Sequence, residues 1–207
     1  MALYVMLAEK GFFPEQDLWK FCHPDGNLGG HPDHKTPGVE ASTGSLGHGL
    51  SIGVGMALGC RMKYAFETSR VPRVFVVLGD GESNEGSVWE AAMGAGKHKL
   101  NNLTVLTDYN KHQAFGESSD VQPLGPLADK WRAFGFAVEE VDGHDVDALR
   151  DVLGRTPLNC DKPTSVICHT VKCKGVRIAE NDMKWHHVNR IDEDAIGELL
   201  AAVEDYA

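Results

Sequence analysis

The residues of this chain best suited to chemistry are an aspartate and an asparagine, Asp80 and Asn110, each of which closely follows an apolar run. A carboxylate and an amide oxygen are hard ligands, which favour Mg²⁺ or Ca²⁺. Mg²⁺ usually completes its shell with water and phosphate oxygens, so two protein side chains suffice. Gly79 and Gly81 flank the aspartate, and glycine lets the backbone approach a phosphate and adopt a positive φ. The pattern predicts a joint site for a divalent cation and a diphosphate.

The runs that precede these two residues predict parallel strands joined by a helix. Residues 74–78 are rich in β-branched side chains and end at a glycine, which is typical of a strand buried on both faces inside a parallel sheet. Residues 87–100 suit a crossover helix, and residues 103–107 supply the next strand of a βαβ unit. In open α/β sheets ligands collect outside the carboxyl ends of the strands. We therefore expect Asp80 and Asn110 at one edge of the sheet.

Taken together, Gly79-Asp80-Gly81, a helix, a second strand and Asn110 form a pattern that resembles the thiamine diphosphate motif. A Gly-Asp-Gly alone is also a common strand-ending turn, so the spaced asparagine carries the interpretation. The surrounding sequence resembles the transketolase family over nearly the whole chain. The resemblance is closest to the N-terminal subunit of split transketolases, in which two polypeptides share the functions of one. A second matching stretch runs from Gly38 to Gly49 and includes Ser-Thr-Gly-Ser-Leu-Gly-His-Gly.

This resemblance implies thiamine diphosphate as cofactor and Mg²⁺ as metal, with Ca²⁺ as an alternative. The implied metal ligands are the side chains of Asp80 and Asn110 and the backbone carbonyl of His112. The implied cofactor-binding residues meet the diphosphate, the thiazolium or the aminopyrimidine, and they are Gly44, Leu46, Gly79, Asp80, Gly81, Asn110 and His186.

Three residues have implied catalytic roles. His31, in a Gly-His-Pro motif, is similar to a family histidine that faces the substrate channel, and His186 to one that approaches the diphosphate and the reacting hydroxyl. Glu85 matches a glutamate at the family's subunit interface that links two cofactor sites. From the residues alone, the preferred interpretation is an acidic side chain in the first turn of a helix, where it is favourable. His48 and His187 depart from the family's usual residues, and a role for them in specificity stays open.

The implied fold is α/β, an open and mostly parallel sheet with helices on both faces. Residues 1–207 would form a single thiamine diphosphate-binding domain of the diphosphate-binding (PP) type, shortened at its N-terminus because two family histidine motifs normally precede this start. The implied reaction transfers a two-carbon ketol unit from a ketose or ketose phosphate to an aldose, as in pentose phosphate metabolism. A separate C-terminal subunit with the pyrimidine-binding domain would supply the activating glutamate, so we expect a heterotetramer and no activity from this chain alone.

Two other functions stay open. The chain could belong to another thiamine diphosphate enzyme, such as a deoxyxylulose phosphate synthase or a 2-oxo acid dehydrogenase, although the Ser42 to Gly49 stretch favours transketolase. It could also be a noncatalytic regulatory protein that binds thiamine diphosphate and Mg²⁺. The presence of Asp80, Asn110 and Glu85 argues for an enzyme.

Composition narrows the class of protein further. The chain has 207 residues, of which 42% are hydrophobic and 24% charged, which suits one soluble α/β domain. A formal net charge of −10 argues against a nucleic-acid binder. There is neither a membrane-spanning stretch nor a signal peptide, so we expect a cytoplasmic protein. The five cysteines are odd in number and irregularly spaced, which fits reduced thiols, and Cys168 and Cys173 lack the four-ligand spacing of a zinc site.

The remaining elements follow from local patterns. Leu50 to Leu58 has small residues at alternate positions, so a helix there needs burial to hold it. Asp145 precedes an amphipathic segment and predicts a helix cap, which makes the adjacent His144 structural. The last strand is expected at Thr164 to Val171, followed by an amphipathic helix from Asp192 to Tyr206. The apolar face of that helix would comprise Ile196, Leu199, Leu200 and Val203.

Overall fold

A computed structural model describes residues 1–66, 71–186, 188 and 191–206. The strands are β1 (Val74–Gly79), β2 (Leu103–Tyr109), β3 (His112–Gln113), β4 (Gly116–Glu117), β5 (Ala137–Asp142) and β6 (Thr164–His169). Four of them form a parallel sheet in the order β1-β2-β6-β5, and β3 and β4 form a short antiparallel hairpin. The predicted parallel α/β sheet is confirmed.

Seven α-helices occur among the described residues. They are α1 (Ala2–Glu9), α2 (His48–Lys63), α3 (Gly86–Lys97), α4 (Ser118–Val121), α5 (Leu127–Ala133), α6 (Val146–Gly154) and α7 (Glu193–Glu204). Short 3-10 helices lie at Glu15–Lys20, Glu82–Asn84 and Met183–Trp185. The predicted βαβ unit is present as β1, α3 and β2. Within the described ranges, every helix is too short or too polar to cross a lipid bilayer.

Helices cover the two faces of the sheet unequally. On one face α2, α3 and α5 pack on the strands around a core that includes the fully buried Trp131, Leu103 and Val105. On the other face a smaller core joins Val152 of α6 to Val166 of β6. The second core takes in β2, β5 and β6, and α6 packs against β5. Helices therefore lie on both faces, as predicted, but one face is only partly covered.

This unequal cover corrects the prediction that residues 74–78 are buried on both faces. Strand β1 lies at the edge of the sheet and, among the described residues, pairs with β2 alone. Because side chains alternate along a strand, Val74, Val76 and Leu78 face the larger core while Phe75 and Val77 face away from it. The last two residues are 45% and 72% exposed. A continuous apolar run predicts a strand, but it does not show that other elements cover both faces of that strand.

Helix α2 includes the glycine-rich stretch, and it packs against strand β1 of the sheet. A Cβ atom built on Gly53 would lie 2.4 Å from Cγ2 of Val76, so the helix backbone approaches β1 closely. Leu50 and Ala57 on the same helix are fully buried. Glycine at position 53 therefore lowers the helix propensity of α2, but it lets the helix backbone pack closely on the sheet.

The helix cap predicted at Asp145 is present, and a second cap occurs at Asp192. The Asp145 carboxylate accepts hydrogen bonds from two backbone N–H groups at the start of α6, at 3.0 and 2.9 Å. Asp192 accepts one at the start of α7, from Ala195 at 2.8 Å. The apolar face predicted for α7 is not packed into a core, because its side chains stay largely exposed: Ile196 44%, Leu200 61% and Val203 52%. Strand β6 ends at His169, two residues before the predicted Val171.

Candidate functional site

Strands β1 and β2 end side by side, with Gly79 in register with Asp108. The backbone N–H of Asp80 continues the ladder and donates to the Asp108 carbonyl at 3.2 Å. Two neighbouring strands thus deliver Asp80 and the loop that carries Asn110 to one edge of the sheet. Open α/β sheets bind ligands here, outside the carboxyl ends of their strands.

The Asp80 carboxylate is held by neutral donors in a buried place. Its Oδ1 accepts from the backbone N–H of Gly81 at 2.7 Å, and its Oδ2 accepts from the N–H of Lys111 at 2.6 Å and the hydroxyl of Ser118 at 3.3 Å. Only 1% of the residue is exposed. Burial raises the pKa of the Asp80 carboxyl above its usual value, against the lowering effect of these hydrogen bonds. A bound cation would stabilise the ionised carboxylate and so oppose this rise in its pKa.

The loop after β2 folds tightly around its own polar groups. Lys111 has a left-handed backbone, with φ 67°. The amide oxygen of Asn110 accepts from the backbone N–H of His112 at 2.9 Å, and its Nδ2 donates to Asp108 at 3.2 Å. The imidazole Nδ1 of His112 lies 2.9 Å from the Asn110 carbonyl oxygen. The three predicted metal ligands therefore lie on the end of β1 and on one turn hydrogen-bonded to it.

The two glycines beside Asp80 lack the positive φ that was predicted, and they differ in the space around them. Neither adopts a positive φ, and Gly81, with φ −59°, is already right-handed as it enters the 3-10 helix Glu82–Asn84. Glycine is needed at position 81 because a Cβ there would lie 2.7 Å from Cβ of Gln113. At Gly79 a Cβ would meet its nearest neighbour, Cβ of Glu82, only at 3.9 Å. The backbone at Gly79 is therefore open to close approach.

The segment from Ser42 to Gly49 carries the second predicted group of residues. Gly44 has φ 132°, and a Cβ on it would lie 2.7 Å from Cγ of His31. The backbone N–H of Thr43 also donates to the carbonyl of Pro32, at 3.1 Å. The structure thus brings His31 against Gly44. A cleft of about 200 Å³ adjoins this segment, and its lining includes Leu46, Val77 and Glu82.

Sequence reasoning missed Glu82, which connects the two predicted groups. Its Oε1 accepts from the backbone N–H of Gly47 at 2.9 Å, and its Oε2 accepts from the N–H of Gly79 at 3.2 Å. The only sequence signal is a glutamate directly after the Gly-Asp-Gly turn. A preference for acidic residues at helix starts explains that signal equally well.

The remaining residues singled out in the sequence are Glu85, His186, His48 and His187. Glu85 is the exposed N-cap residue of α3, and its Cβ lies 2.7 Å from the place where a Cβ on Gly47 would be. His186 ends the 3-10 helix Met183–Trp185 and donates its backbone N–H to Met183 at 3.0 Å. His48 begins α2, and its Nδ1 lies 3.1 Å from the hydroxyl of Ser45. His187 lies outside the described residues.

A larger hollow of about 620 Å³ opens beside Asn110. Its lining includes Asp108, Thr170 and the lysines Lys172 and Lys174. His144 also lines it, but its Nε2 accepts the backbone N–H of Val171 at 2.8 Å, which agrees with a structural role. The hollow combines hydrogen-bonding groups with cationic side chains next to the predicted metal ligands.

The donors at the sheet edge suit a hard cation. In the described part of the chain, no group of three or more His, Cys, Asp and Glu side chains converges on a metal site. The predicted ligands are instead one carboxylate, one amide oxygen and one carbonyl oxygen, which suits Mg²⁺ completed by phosphate oxygens. Cys168 is a poor zinc ligand here, because burial raises the pKa of its thiol to about 11.

Comparisons with known proteins show what this chain is similar to. A family model described as "Transketolase, thiamine diphosphate binding domain" matches residues 1–202. The 6-deoxy-6-sulfo-D-fructose transketolase subunit SqwG of Clostridium sp. is 40% identical over 93% of this chain. An apulose-4-phosphate transketolase subunit of Actinobacillus succinogenes is 43% identical over 89% of it. The structure of transketolase from Campylobacter jejuni superposes with a TM-score of 0.83 at 28% identity, over 92% of this chain.

The match covers different shares of these proteins. It spans 68% of the Clostridium protein and 65% of the Actinobacillus protein. Only 30% of the Campylobacter chain is covered. Residues 1–202, which the family model matches, contain both the Asp80 edge of the sheet and the Ser42 to Gly49 segment.

Proposed function

Because this chain belongs to the transketolase family, through its thiamine diphosphate-binding domain, we propose that it is the cofactor-binding subunit of a heteromeric transketolase. The observation that carries the proposal is the buried Asp80 carboxylate, bound by neutral donors and hydrogen-bonded to the loop that carries Asn110. Residues 1–207 would form one domain of the PP type. The similarity to named transketolase subunits favours this function over the other thiamine diphosphate enzymes.

The residues present fit the cofactor and its metal. Asp80 and Asn110 would hold Mg²⁺ through their side chains, and His112 through its backbone carbonyl, with Ca²⁺ as an alternative. The diphosphate would lie along Gly79 and Gly81, and at Gly79 the missing side chain leaves the backbone open to close approach. The predicted cofactor contacts also include Gly44, Leu46 and His186. When bound, thiamine diphosphate supplies the carbanion stabilisation that transfer of a two-carbon unit requires.

The protein's own groups would orient the substrate and move its protons. His31 lies against Gly44, so its imidazole is next to the segment proposed to meet the rings of the cofactor. We propose that His31 and His186 bind the donor hydroxyls or relay their protons. Glu85 is exposed at the start of α3, as a residue that meets a second subunit must be.

A separate subunit with the pyrimidine-binding domain would complete the site, and a heterotetramer is the proposed assembly. The named relatives act on an apulose phosphate and a sulfonated fructose, and both of these sugars carry an anionic group. The two lysines that line the 620 Å³ hollow, Lys172 and Lys174, support a sugar phosphate for this chain as well. Cytoplasm is the proposed compartment, in keeping with five cysteines that all lie in the described ranges and form no disulfide.

The proposal is tested by calorimetric titration of thiamine diphosphate, with and without Mg²⁺. The titrations use this chain alone and then mixed with a candidate partner encoded by a neighbouring gene. Binding that requires Mg²⁺ and strengthens with the partner is the expected result. Absence of binding in every mixture would reject the cofactor-binding function.

A further inference from the structure

One peptide group in the Ser42 to Gly49 segment is held on both sides. The N–H of Gly47 donates to Oε1 of Glu82 at 2.9 Å, and the carbonyl of Gly47 accepts from the hydroxyl of Ser87 at 2.9 Å. Glu82 stands directly after the Gly-Asp-Gly turn, and Ser87 is in the first turn of α3. The segment is thus bound to the residues that follow Asp80, although Gly47 and Glu82 are 35 positions apart.

The fit around Gly47 leaves little freedom. Its backbone is left-handed, with φ 81°, and a Cβ at this position would lie 2.5 Å from the Ser87 hydroxyl oxygen and 2.7 Å from Cβ of Glu85. The second oxygen of Glu82 accepts the N–H of Gly79 at 3.2 Å. One carboxylate therefore joins the end of β1 to the neighbouring segment.

We propose that Glu82 is a positioning residue, which docks the Ser42 to Gly49 segment on the Gly-Asp-Gly turn and so fixes the spacing between the two parts of the cofactor site. This inference rests on the proposed function, in which Gly79 meets the diphosphate while Gly44 and Leu46 meet the rings. Hydrogen bonds to a carboxylate are stronger than those between neutral groups, which suits Glu82 to hold two loops in register.

The role requires both carboxylate oxygens. Glutamine at position 82 offers one acceptor oxygen, and its amide group would face a second N–H donor. Glu82→Gln should therefore restore one of the two contacts, whereas Glu82→Ala removes both. Ser87→Ala removes only the bond to the Gly47 carbonyl and should have a smaller effect.

The experiment compares two ligands by calorimetry in the presence of Mg²⁺, with the partner chain included if binding requires it. Inorganic pyrophosphate probes the Gly-Asp-Gly end alone, and thiamine diphosphate probes both ends. For Glu82→Ala we expect affinity for thiamine diphosphate to fall about tenfold or more, while affinity for pyrophosphate changes less than about threefold. Glu82→Gln should be intermediate, and Glu198→Ala, an exposed change on α7, should match the wild type.

Two results would overturn the inference. Wild-type affinity of Glu82→Ala for thiamine diphosphate would remove the positioning role, and an equal loss for both ligands would indicate general loosening instead. A wild-type chain that binds neither ligand would reject the proposed function rather than this contact. In that case amide hydrogen exchange at Gly47 still decides whether Glu82 docks the segment. Loss of the hydrogen bond to Glu82 should speed exchange of the Gly47 N–H in Glu82→Ala. Unchanged exchange would refute the docking role of Glu82.

Discussion

The backbone N–H of Lys111 donates to the carboxylate of Asp80 at 2.6 Å, across two neighbouring strands of the sheet. This bond ties the end of β1 to the turn that contains Asn110 and His112. The residues whose oxygens are proposed to bind Mg²⁺ therefore lie on two segments that this bond joins.

Asp80→Asn tests the metal site with little change in side-chain volume. We expect Mg²⁺-dependent retention of thiamine diphosphate to be lost, because a neutral amide is a poor substitute for the one carboxylate ligand. Asp80→Ala should add a stability loss of about 1–3 kcal/mol, since buried N–H donors would lose their acceptor. Calorimetry and urea unfolding measure the two effects, with the exposed Asp161→Asn as control. Unchanged retention in the Asn variant would show that the metal is held elsewhere.

The raised pKa of Asp80 gives the metal-free protein a defined pH dependence. A carboxyl with a higher pKa in the folded than in the unfolded state binds more protons when folded. Its contribution to the free energy of unfolding therefore falls as pH rises, from the unfolded value of 3.8 through the higher folded pKa. Urea unfolding of wild type and Asp80→Asn across this range should differ with that slope. Added Mg²⁺ should reduce the slope, and identical pH profiles would contradict the assignment.

His186→Ala separates chemistry from cofactor binding. We expect ketol transfer with the partner subunit to fall by about 10² or more, the scale of a lost proton-transfer group, while thiamine diphosphate stays bound. Steady-state kinetics and calorimetry give the two readings, and His23→Ala, an exposed change, serves as control. Normal turnover would remove His186 from the mechanism.

Two glycines of α2 provide a matched test of helix packing. Gly53→Ala should destabilise the fold, because its Cβ would lie 2.4 Å from the stiff side chain of Val76, and overpacking of this kind costs about 1–3 kcal/mol. Gly55→Ala meets nothing within 4 Å and should stabilise by up to about 1 kcal/mol through helix propensity. Thermal unfolding of both variants checks the contrast. Equal shifts would show that α2 does not approach β1 this closely.

The parts of the fold that the sequence predicted are those set by local pattern. The βαβ unit follows from two apolar runs separated by a helical stretch, and Asp145 caps a helix because capping depends on residues within one turn. The edge position of β1 was not predictable, since it depends on which strands lie beside it. Glu82 was missed for a related reason. Its acceptor role arises only when folding brings Gly47 next to it, from 35 positions away.

Among the described residues β1 pairs only with β2, and its other edge bears on how the purified protein behaves in solution. Residues 74–78 are uncharged, strongly β-forming and, at Phe75 and Val77, exposed. An edge strand offers unpaired N–H and C=O groups to other polypeptide chains, and an uncharged, β-forming segment favours intermolecular sheets. We therefore expect the strand that presents Asp80 to be prone to pair with other chains. A polypeptide that covered this edge would prevent such pairing and so help to keep the purified protein dispersed.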